Sequence, residues 1–274
     1  MRWFPKTAVL AVSALTAAIG LPGAAAGSAP LLSHRVVIPF AANASQNWSG
    51  YNQASQARGG VLFHEVAGDW TVPTPSQHKA GQAEYSSDWI GIGGGCVNAT
   101  CTVGDNTLIQ TGTEQDIAKN GTRTYTAWWE IIPQPETVIT TMTVHPRDRM
   151  HAEIKEGVAG SNVWTIVLTD RTTGQTFKKT TPYSSSHLTA EWIQERPTLI
   201  TTGGTSLAPL PQLTNPFFDF AKVNGAFAGL KVAQEILMTD ASGHVIGRPS
   251  APDHSADGFN ACTYTASCAA PTGS

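Results

Sequence analysis

The chain has 274 residues, of which 41% are hydrophobic and only 14% are charged, and its formal net charge is −3 at pH 7. Lys and Arg number 17 against 20 Asp and Glu, so the chain lacks the basic surface by which nucleic-acid-binding proteins are recognised. Eight Trp, nine Phe and five Tyr are spread along the sequence, which excludes a largely disordered chain. The length allows one or two domains, and all-β chains of this size commonly form one.

The N-terminal segment, residues 1–26, has the three parts of a secretory signal peptide. Arg2 and Lys6 form a basic start, residues 8–20 are uncharged and mainly apolar, and the small residues 24–26 suit signal peptidase. The apolar run is too short to span a membrane. We therefore expect a secreted, extracellular protein with no membrane contact.

Residues 27–45 are expected to form a short leader or pro-segment, and residues 46–274 a single domain. From residue 47 onward the sequence consists of short β-rich runs broken by Gly, Pro, Asn and Asp. Residues 170–174 predict a hairpin turn, in which Gly174 can adopt a positive φ. No amphipathic helix longer than two turns and no fixed repeat is found. These features predict an all-β antiparallel sandwich or barrel, with its clearest strands at 60–72, 85–92, 107–112, 123–132, 163–169, 175–180, 189–194 and 232–240.

The four cysteines form two close pairs in the sequence, Cys96 with Cys101 and Cys262 with Cys268. Four cysteines allow three pairings, and the two local disulfides are favoured because each pair lies in a turn rich in Gly, Ser or Thr. A zinc site is the alternative, but the spacings are not Cys-x-x-Cys and no His stands at ligand spacing. We expect two disulfides and no metal.

Familiar catalytic motifs are missing from the sequence. It contains no Gly-x-Ser-x-Gly elbow, no His-Glu-x-x-His helix, no aspartic-peptidase triplet and no phosphate or dinucleotide loop. Instead, several predicted strands carry a polar or aromatic residue where a core strand would carry an aliphatic one. Gln110, Glu191 and Glu130 are such residues, and Trp89 shares a strand face with Gly91. A sheet face of this composition is typical of a groove for an extended ligand.

Five of these segments, in this order, resemble those of the glutamic peptidases, also called eqolisins. The resemblance extends over roughly residues 45–240. It implies a sandwich of two curved, lectin-like antiparallel sheets with the substrate cleft on the concave face. It also implies an endopeptidase that acts on polypeptides at acid pH without a cofactor, and we expect a monomer. The segments are Asn47–Tyr51, Trp89–Ile92, Leu108–Gly112, Tyr125–Glu130 and Thr189–Ile193.

The resemblance also implies roles for individual residues. Gln110 matches the family's catalytic glutamine and Glu191 its catalytic glutamate. A carboxylate can take a proton from an attacking water and return it to the leaving amine, while a glutamine amide, which does not titrate, can orient the water and donate to the oxyanion. Trp89 matches an active-site tryptophan and Glu130 an acid near the dyad. The expected substrate-binding residues are Trp89, Glu130, Trp128, Gly91 and Thr111.

Two features depart from the pattern of the fungal members. Gly93, Gly94 and Gly95 stand where those members place an acidic residue, so the cleft is expected to be less acidic. The fungal precursors have a long basic pro-segment, whereas residues 27–45 hold one Arg and one His, so charge pairing between leader and cleft is expected to be weak.

Two other functions are compatible with the same residues. A glycoside hydrolase could use two carboxylates, such as Glu130 and Glu191, as acid and nucleophile. A non-catalytic module could hold a glycan or a peptide in a Trp-lined groove. Gln110 would be dispensable in the first case, and no turnover would occur in the second.

Overall fold

The computed structural model describes Met1 and residues 30–34, 43–98 and 100–272. The rest of the expected signal peptide and part of the leader lie outside these residues. Two short 3₁₀ helices, Gln56–Arg58 and Val232–Gln234, accompany the strands, and no described helix is long and apolar enough to cross a membrane. The strands are β1 Leu31–Ser33, β2 Ala44–Ser45, β3 Trp48–Ala54, β4 Glu65–Thr71, β5 Pro75–Ser76, β6 Ser87–Gly93, β7 Leu108–Ile117, β8 Arg123–Ile131, β9 Thr137–Val138, β10 Arg149–Glu156, β11 Val163–Asp170, β12 Thr176–Pro182, β13 Thr189–Glu195, β14 Thr198–Thr201, β15 Gly204–Leu207, β16 Gln212–Leu213, β17 Phe217–Val223, β18 Ala226–Phe227, β19 Glu235–Thr239, β20 Val245–Pro249 and β21 Phe259–Thr263.

Most strands join one long ladder that folds back on itself. Its order is β12-β11-β10-β4-β17-β21-β20-β19-β3-β13-β6-β7-β8-β9, and the pairs along it are antiparallel. Strands β4 and β10 at one end of the ladder lie against β6 and β7 near the other end. The two layers form a β-sandwich, as the sequence predicted.

Aliphatic and aromatic side chains fill the space between the layers because strand residues point alternately inward and outward. Two tryptophans tie the layers together: Trp192 Nε1 donates to the carbonyl of Ala67 at 2.9 Å, and Trp70 Nε1 donates to Thr113 Oγ1 at 2.9 Å. Gly68 makes room for the first, since a Cβ there would lie 2.8 Å from Trp192 Cδ1. Truncating a buried tryptophan of this kind to alanine typically costs about 3–5 kcal/mol.

The local predictions are confirmed. Cys96 is bonded to Cys101 and Cys262 to Cys268, and no described cysteine is free for zinc. Strands β11 and β12 form the expected hairpin, in which Gly174 has φ +81°.

The leader contributes a strand outside the main ladder. Strand β1, residues Leu31–Ser33, pairs antiparallel with β14, which also pairs with β15. This small sheet holds residues 30–34 of the expected leader against the body of the protein and determines where His34 lies.

Candidate active site

Cross-strand register brings the two predicted catalytic residues into one row. Glu191 of β13 is paired with Gly91 of β6, Gly91 with Gln110 of β7, and Gln110 with Glu130 of β8. Paired residues share a sheet face, so all four lie on the face turned away from the sandwich core, which we call the site face. Neighbouring strands are about 4.8 Å apart, which puts Gln110 and Glu191 about 10 Å apart between their Cα atoms, one on each side of Gly91.

Gly91 leaves the space between Gln110 and Glu191 free of a side chain. A Cβ at this position would lie 3.2 Å from Gln110 Cβ and 3.0 Å from Trp89 Cζ3, closer than ordinary contact. Only glycine therefore fits between Gln110 and Glu191 without displacing these neighbours.

Glu130 fixes the amide of Gln110. Gln110 Nε2 donates to Glu130 Oε2 at 2.7 Å, whereas Gln110 Oε1 has no hydrogen-bond partner among the described residues. Glu130 Oε2 also accepts the backbone N–H of His34, so it acts as an acceptor toward Gln110, selects the NH₂ group of the amide and leaves the amide oxygen available. Burial raises the pKa of Glu130 to about 7.

Glu191 is completely buried, and neither of its oxygens has a hydrogen-bond partner among the described residues. Burial raises its pKa well above the ordinary value for Glu. A Cβ at Gly95 would lie 2.5 Å from Glu191 Oε1, so only glycine allows this segment to approach Glu191 so closely. The Gly95 segment leads into the Cys96–Cys101 loop, where Asn52 Nδ2 donates to the Cys96 carbonyl at 3.0 Å.

Tryptophans line the next row of the site face. Trp89 and Trp48 meet edge to face with ring centroids 4.8 Å apart. Trp128 Nε1 donates to Ser87 Oγ at 3.0 Å. Gly112 lies between Trp89 and Trp128, and a Cβ there would come within 3.0 Å of Trp128 Cζ2.

A second acidic group lies on the same face and was not among the predicted site residues. Glu195 Oε2 accepts from Trp89 Nε1 at 2.7 Å, and Glu114 is paired with Ser87 one strand away. Glu136, in the turn before β9, belongs to the same group because its Oε2 lies 3.1 Å from His34 Nε2. Strand alternation from Glu191 through Ile193 would have identified Glu195, whereas the position of Glu136 depends on a turn.

His34 of the leader is inserted into this acidic group. Its ring stacks on Trp128 with centroids 3.8 Å apart and 9° between the planes. Its Nδ1 lies 3.3 Å from Glu195 Oε2, and its Nε2 lies 3.1 Å from Glu136 Oε2 and 3.5 Å from Glu114 Oε1. Burial alone would lower the pKa of His34, but the surrounding carboxylates raise it well above its ordinary value.

The leader backbone also reaches Glu130. The N–H of His34 donates to Glu130 Oε2 at 3.0 Å, and Ser33 Oγ donates to Glu130 Oε1 at 2.9 Å. The expectation of weak charge pairing between leader and cleft was therefore wrong. A single buried histidine, His34, makes these contacts with several carboxylates.

Thr111 is the one predicted site residue that the fold does not bring to the site face. It follows Gln110 in β7, so its side chain points toward the core layer, and its hydroxyl donates to the Trp128 carbonyl at 2.7 Å. Trp129 points the same way, with Lys179 Nζ 5.5 Å from its ring centroid. Trp128 is thus the member of the Trp pair that lies on the site face.

One group on this face has the composition of a cation site. His34, Glu114 and Glu136 place ligand atoms within 4.8 Å of one another. His34, which supplies the imidazole, lies in the segment expected to be the leader.

Comparison with known proteins agrees with this fold. Residues 46–246 match the model of the Peptidase A4 family. Among solved structures, the chain is similar to scytalido-glutamic peptidase with a transition state analog inhibitor (TM-score 0.60, 18% identity, covering 80% of this chain and 98% of that one). It is also similar to SCP-B, an eqolisin in complex with the tripeptide Ala-Ile-His (TM-score 0.56, 18% identity, 80% and 98%). A third similar structure is aspergilloglutamic peptidase from Aspergillus niger (TM-score 0.53, 22% identity, 66% and 99%). No curated protein matched in sequence. The family match covers both Gln110 and Glu191, and the chain belongs to the Peptidase A4 family as a peptidase of the glutamic type.

Proposed function

We propose that the protein is a secreted acid endopeptidase in which Glu191 and Gln110 activate one water molecule over Gly91. The observation that carries this proposal is the row Glu191–Gly91–Gln110, in which two buried polar side chains flank a position without a side chain. Both residues keep unpartnered oxygens on this face. Buried polar atoms without partners are rare and costly, which supports a role toward water and substrate.

The proposed reaction is a direct attack of water on the peptide carbonyl. Glu191, as the carboxylate, takes a proton from the water, and the resulting hydroxide adds to the carbonyl carbon. Gln110 Oε1 accepts from the water, and the Nε2 proton not given to Glu130 donates to the developing oxyanion. When the tetrahedral species collapses, Glu191 returns the proton to the leaving amine. One such oxyanion donor contributes roughly 3–4 kcal/mol in enzymes where it has been removed.

The raised pKa of Glu191 affects the expected pH range. A general base works only in the fraction of molecules in which it is ionised, so activity should fall as pH drops below the pKa of Glu191. Because burial raises that pKa, the acid limb is expected at mildly rather than strongly acidic pH. The absence of an acidic side chain at Gly95 supports the same expectation.

The described leader residues support synthesis as a latent precursor. Residues 31–33 pair with β14, and His34 covers Trp128 and contacts Glu130 and Glu195. A substrate bound along the site face would need the same surface. Removal of the leader by proteolysis would therefore switch the enzyme on.

The test is hydrolysis of an unfolded protein substrate between pH 2 and 8. Glu191→Gln should reduce kcat/KM by about 10³-fold or more and Gln110→Ala by about 10²–10³-fold. Glu153→Gln, in β10 of the opposite layer, is the matched control and should keep full activity. Circular dichroism would establish that each variant is folded.

The alternatives predict different outcomes. Equal proteolysis by wild type and Glu191→Gln would refute the Gln/Glu pair. Cleavage of a polysaccharide that persists in Gln110→Ala would instead indicate a glycoside hydrolase. Peptide binding without turnover at any pH, with leader-free protein, would indicate a binding module.

A further inference from the structure

Three aspartates converge beside the layer opposite the peptidase site, where β17 pairs with β4. Asp219 lies in β17, and Asp253 and Asp257 lie in the loop before β21. Each places a carboxylate oxygen within 4.8 Å of the others. Asp253 and Asp257 are 8% and 3% exposed. Several carboxylates at this separation repel one another unless a cation or protons intervene.

The fold forces Asp219 toward the loop. The pairing of β17 with β4 shifts register between Asp219 and Lys222, and Phe220 has φ +51°, so a bulge interrupts the strand directly after Asp219. The bulge is fastened to the loop, because the N–H of Ala221 donates to the Asp257 carbonyl at 2.9 Å.

Gly258 provides the space in which the carboxylates meet. A Cβ at this position would lie 2.5 Å from Asp253 Oδ2 and 3.0 Å from Asp219 Oδ1. The two oxygens therefore face the same point above the glycine Cα, and any other residue would fill it.

Asp257 supplies the independent indication of a missing ligand. Its Oδ1 is buried and has no hydrogen-bond partner among the described residues. A buried carboxylate oxygen without a donor loses its hydration without replacement, which is costly for a charged group.

The spacing of the loop residues resembles the first six positions of a calcium-binding loop. Residues 253–258 read Asp-His-Ser-Ala-Asp-Gly, with oxygen-bearing side chains at positions 1, 3 and 5 and glycine at position 6. Calcium loops of the Asp-x-Asp-x-Asp-Gly type use these positions as ligands and glycine for the sharp turn. The N–H of Asp257 donates to Asp253 Oδ1 at 3.2 Å, and Ser255 Oγ donates to the same oxygen at 3.0 Å, which holds the loop in a compact turn.

We propose that Asp219, Asp253 and Asp257 bind a calcium ion that stabilises the C-terminal strands. Ca²⁺ takes six to eight oxygen ligands in flexible geometry, whereas Mg²⁺ requires a near-ideal octahedron, so an irregular set of carboxylates favours Ca²⁺. The ion links the loop before β21 to the bulge of β17 and so adds to the hydrogen bond between Ala221 and Asp257.

Another cluster of similar composition differs because protein groups already donate hydrogen bonds to its carboxylate. His64, Glu156 and His187 also gather within 4.8 Å. There, Glu156 accepts from the N–H groups of Gly160 and Asn162 and contacts both histidines. The charge of Glu156 is thus already matched by protein groups, whereas Asp257 Oδ1 has no such partner.

The experiment uses the full chain freed of metal with EDTA. Calcium titrated by calorimetry should bind with a dissociation constant of about 10⁻⁴–10⁻³ M, the range of extracellular calcium modules. At saturation it should raise Tm by roughly 5 °C. Tb³⁺ should luminesce on excitation of tryptophan, since Trp70 lines the same small cavity as Asp219.

Asp257→Asn and Asp219→Asn keep the side-chain shape and should each weaken calcium binding at least 10-fold. Asp219 is half-buried at an interrupted strand, so its variant should fold even if the other does not. Asp240→Asn, in a distant turn, is the control and should bind calcium as wild type does. No Tm change with 10 mM Ca²⁺, equal binding by the variants, or an equal response to Mg²⁺ would overturn the proposal.

Discussion

Gln110 Nε2 donates a hydrogen bond of 2.7 Å to Glu130 Oε2. The same carboxylate oxygen accepts the backbone N–H of His34 at 3.0 Å. Glu130 therefore links the proposed catalytic amide to the leader, and its two contacts can be separated by experiment.

Replacing Glu130 should disturb the amide of Gln110 without removing it. Glu130→Ala leaves the NH₂ group without its acceptor, so the amide can rotate, and a misplaced catalytic group can cost about 10²-fold in rate. We expect that loss in kcat with little change in KM, measured on leader-free enzyme. Glu130→Gln retains an acceptor oxygen and should recover part of the rate. A change in KM alone would show that Glu130 only binds substrate.

Gly91→Ala should impair catalysis more than folding. The added methyl group would lie 3.0 Å from Leu108 Cδ1 and 3.2 Å from Gln110 Cβ, directly in the gap between Gln110 and Glu191. We expect kcat/KM to fall at least 10-fold while Tm falls by only a few degrees. Gly157→Ala, where the new Cβ would meet a carbonyl at 3.7 Å, is the control and should be close to neutral. Full activity of Gly91→Ala would contradict the placement of water over this residue.

His34→Ala should make the uncut precursor active at acid pH. The carboxylates raise the pKa of His34, so its contribution to leader docking is complete below about pH 6.5, its ordinary pKa, and is lost as pH rises through the raised value. The difference between variant and wild type should therefore be largest at acid pH and shrink at alkaline pH. Activity would be measured while gels confirm that the chain is intact. His145→Ala, in an exposed turn, should stay latent.

The stability of the fold should fall as pH rises toward neutrality. Burial raises the pKa of Glu130 to about 7, so the folded chain holds a proton that the unfolded chain releases near the ordinary pKa of Glu. Between about pH 4.5 and 7 this group progressively destabilises the fold, and Glu191 acts in the same direction. Thermal unfolding of Glu191→Gln, which avoids self-digestion, should show a higher Tm at pH 4.5 than at pH 7.5. The double variant with Glu130→Gln should lose part of this difference.

Below about pH 4.5, in contrast, the stability of the fold should decrease as pH falls. Although burial acts to raise it, the N–H groups of Gly160 and Asn162 and the side chain of His64 lower the pKa of Glu156 to about 2. Its contribution is therefore present above about pH 4.5 and is lost as pH falls toward 2. Glu156→Gln should be less stable than wild type at pH 5, and the two should converge near pH 2. A constant difference in Tm would contradict the assignment.

Features that depend on neighbouring residues in the chain could be predicted from the sequence. Strand alternation assigned Gln110 and Trp89 to faces correctly, and the Cys96–Cys101 loop followed from local spacing. Thr111 was placed on the site face although the same alternation excludes it once Gln110 is assigned. The position of His34 could not be predicted, because it depends on the pairing of Leu31–Ser33 with strand β14, more than 160 residues away in sequence. The contact between Gly95 and Glu191 could not be predicted either, because it joins residues far apart in the sequence.

Because the leader that pairs with β14 is part of the same chain, its occupancy of the cleft depends on its effective concentration there as well as on its contacts. A segment tethered to its own binding surface acts at an effective concentration on the order of millimolar, whatever the dilution of the protein. A substrate at micromolar concentration cannot compete with it. Once the chain between leader and domain is cut, the same peptide becomes an ordinary ligand that dilution removes. Export into a large volume would then make activation irreversible without any change in the affinity of the leader for the cleft.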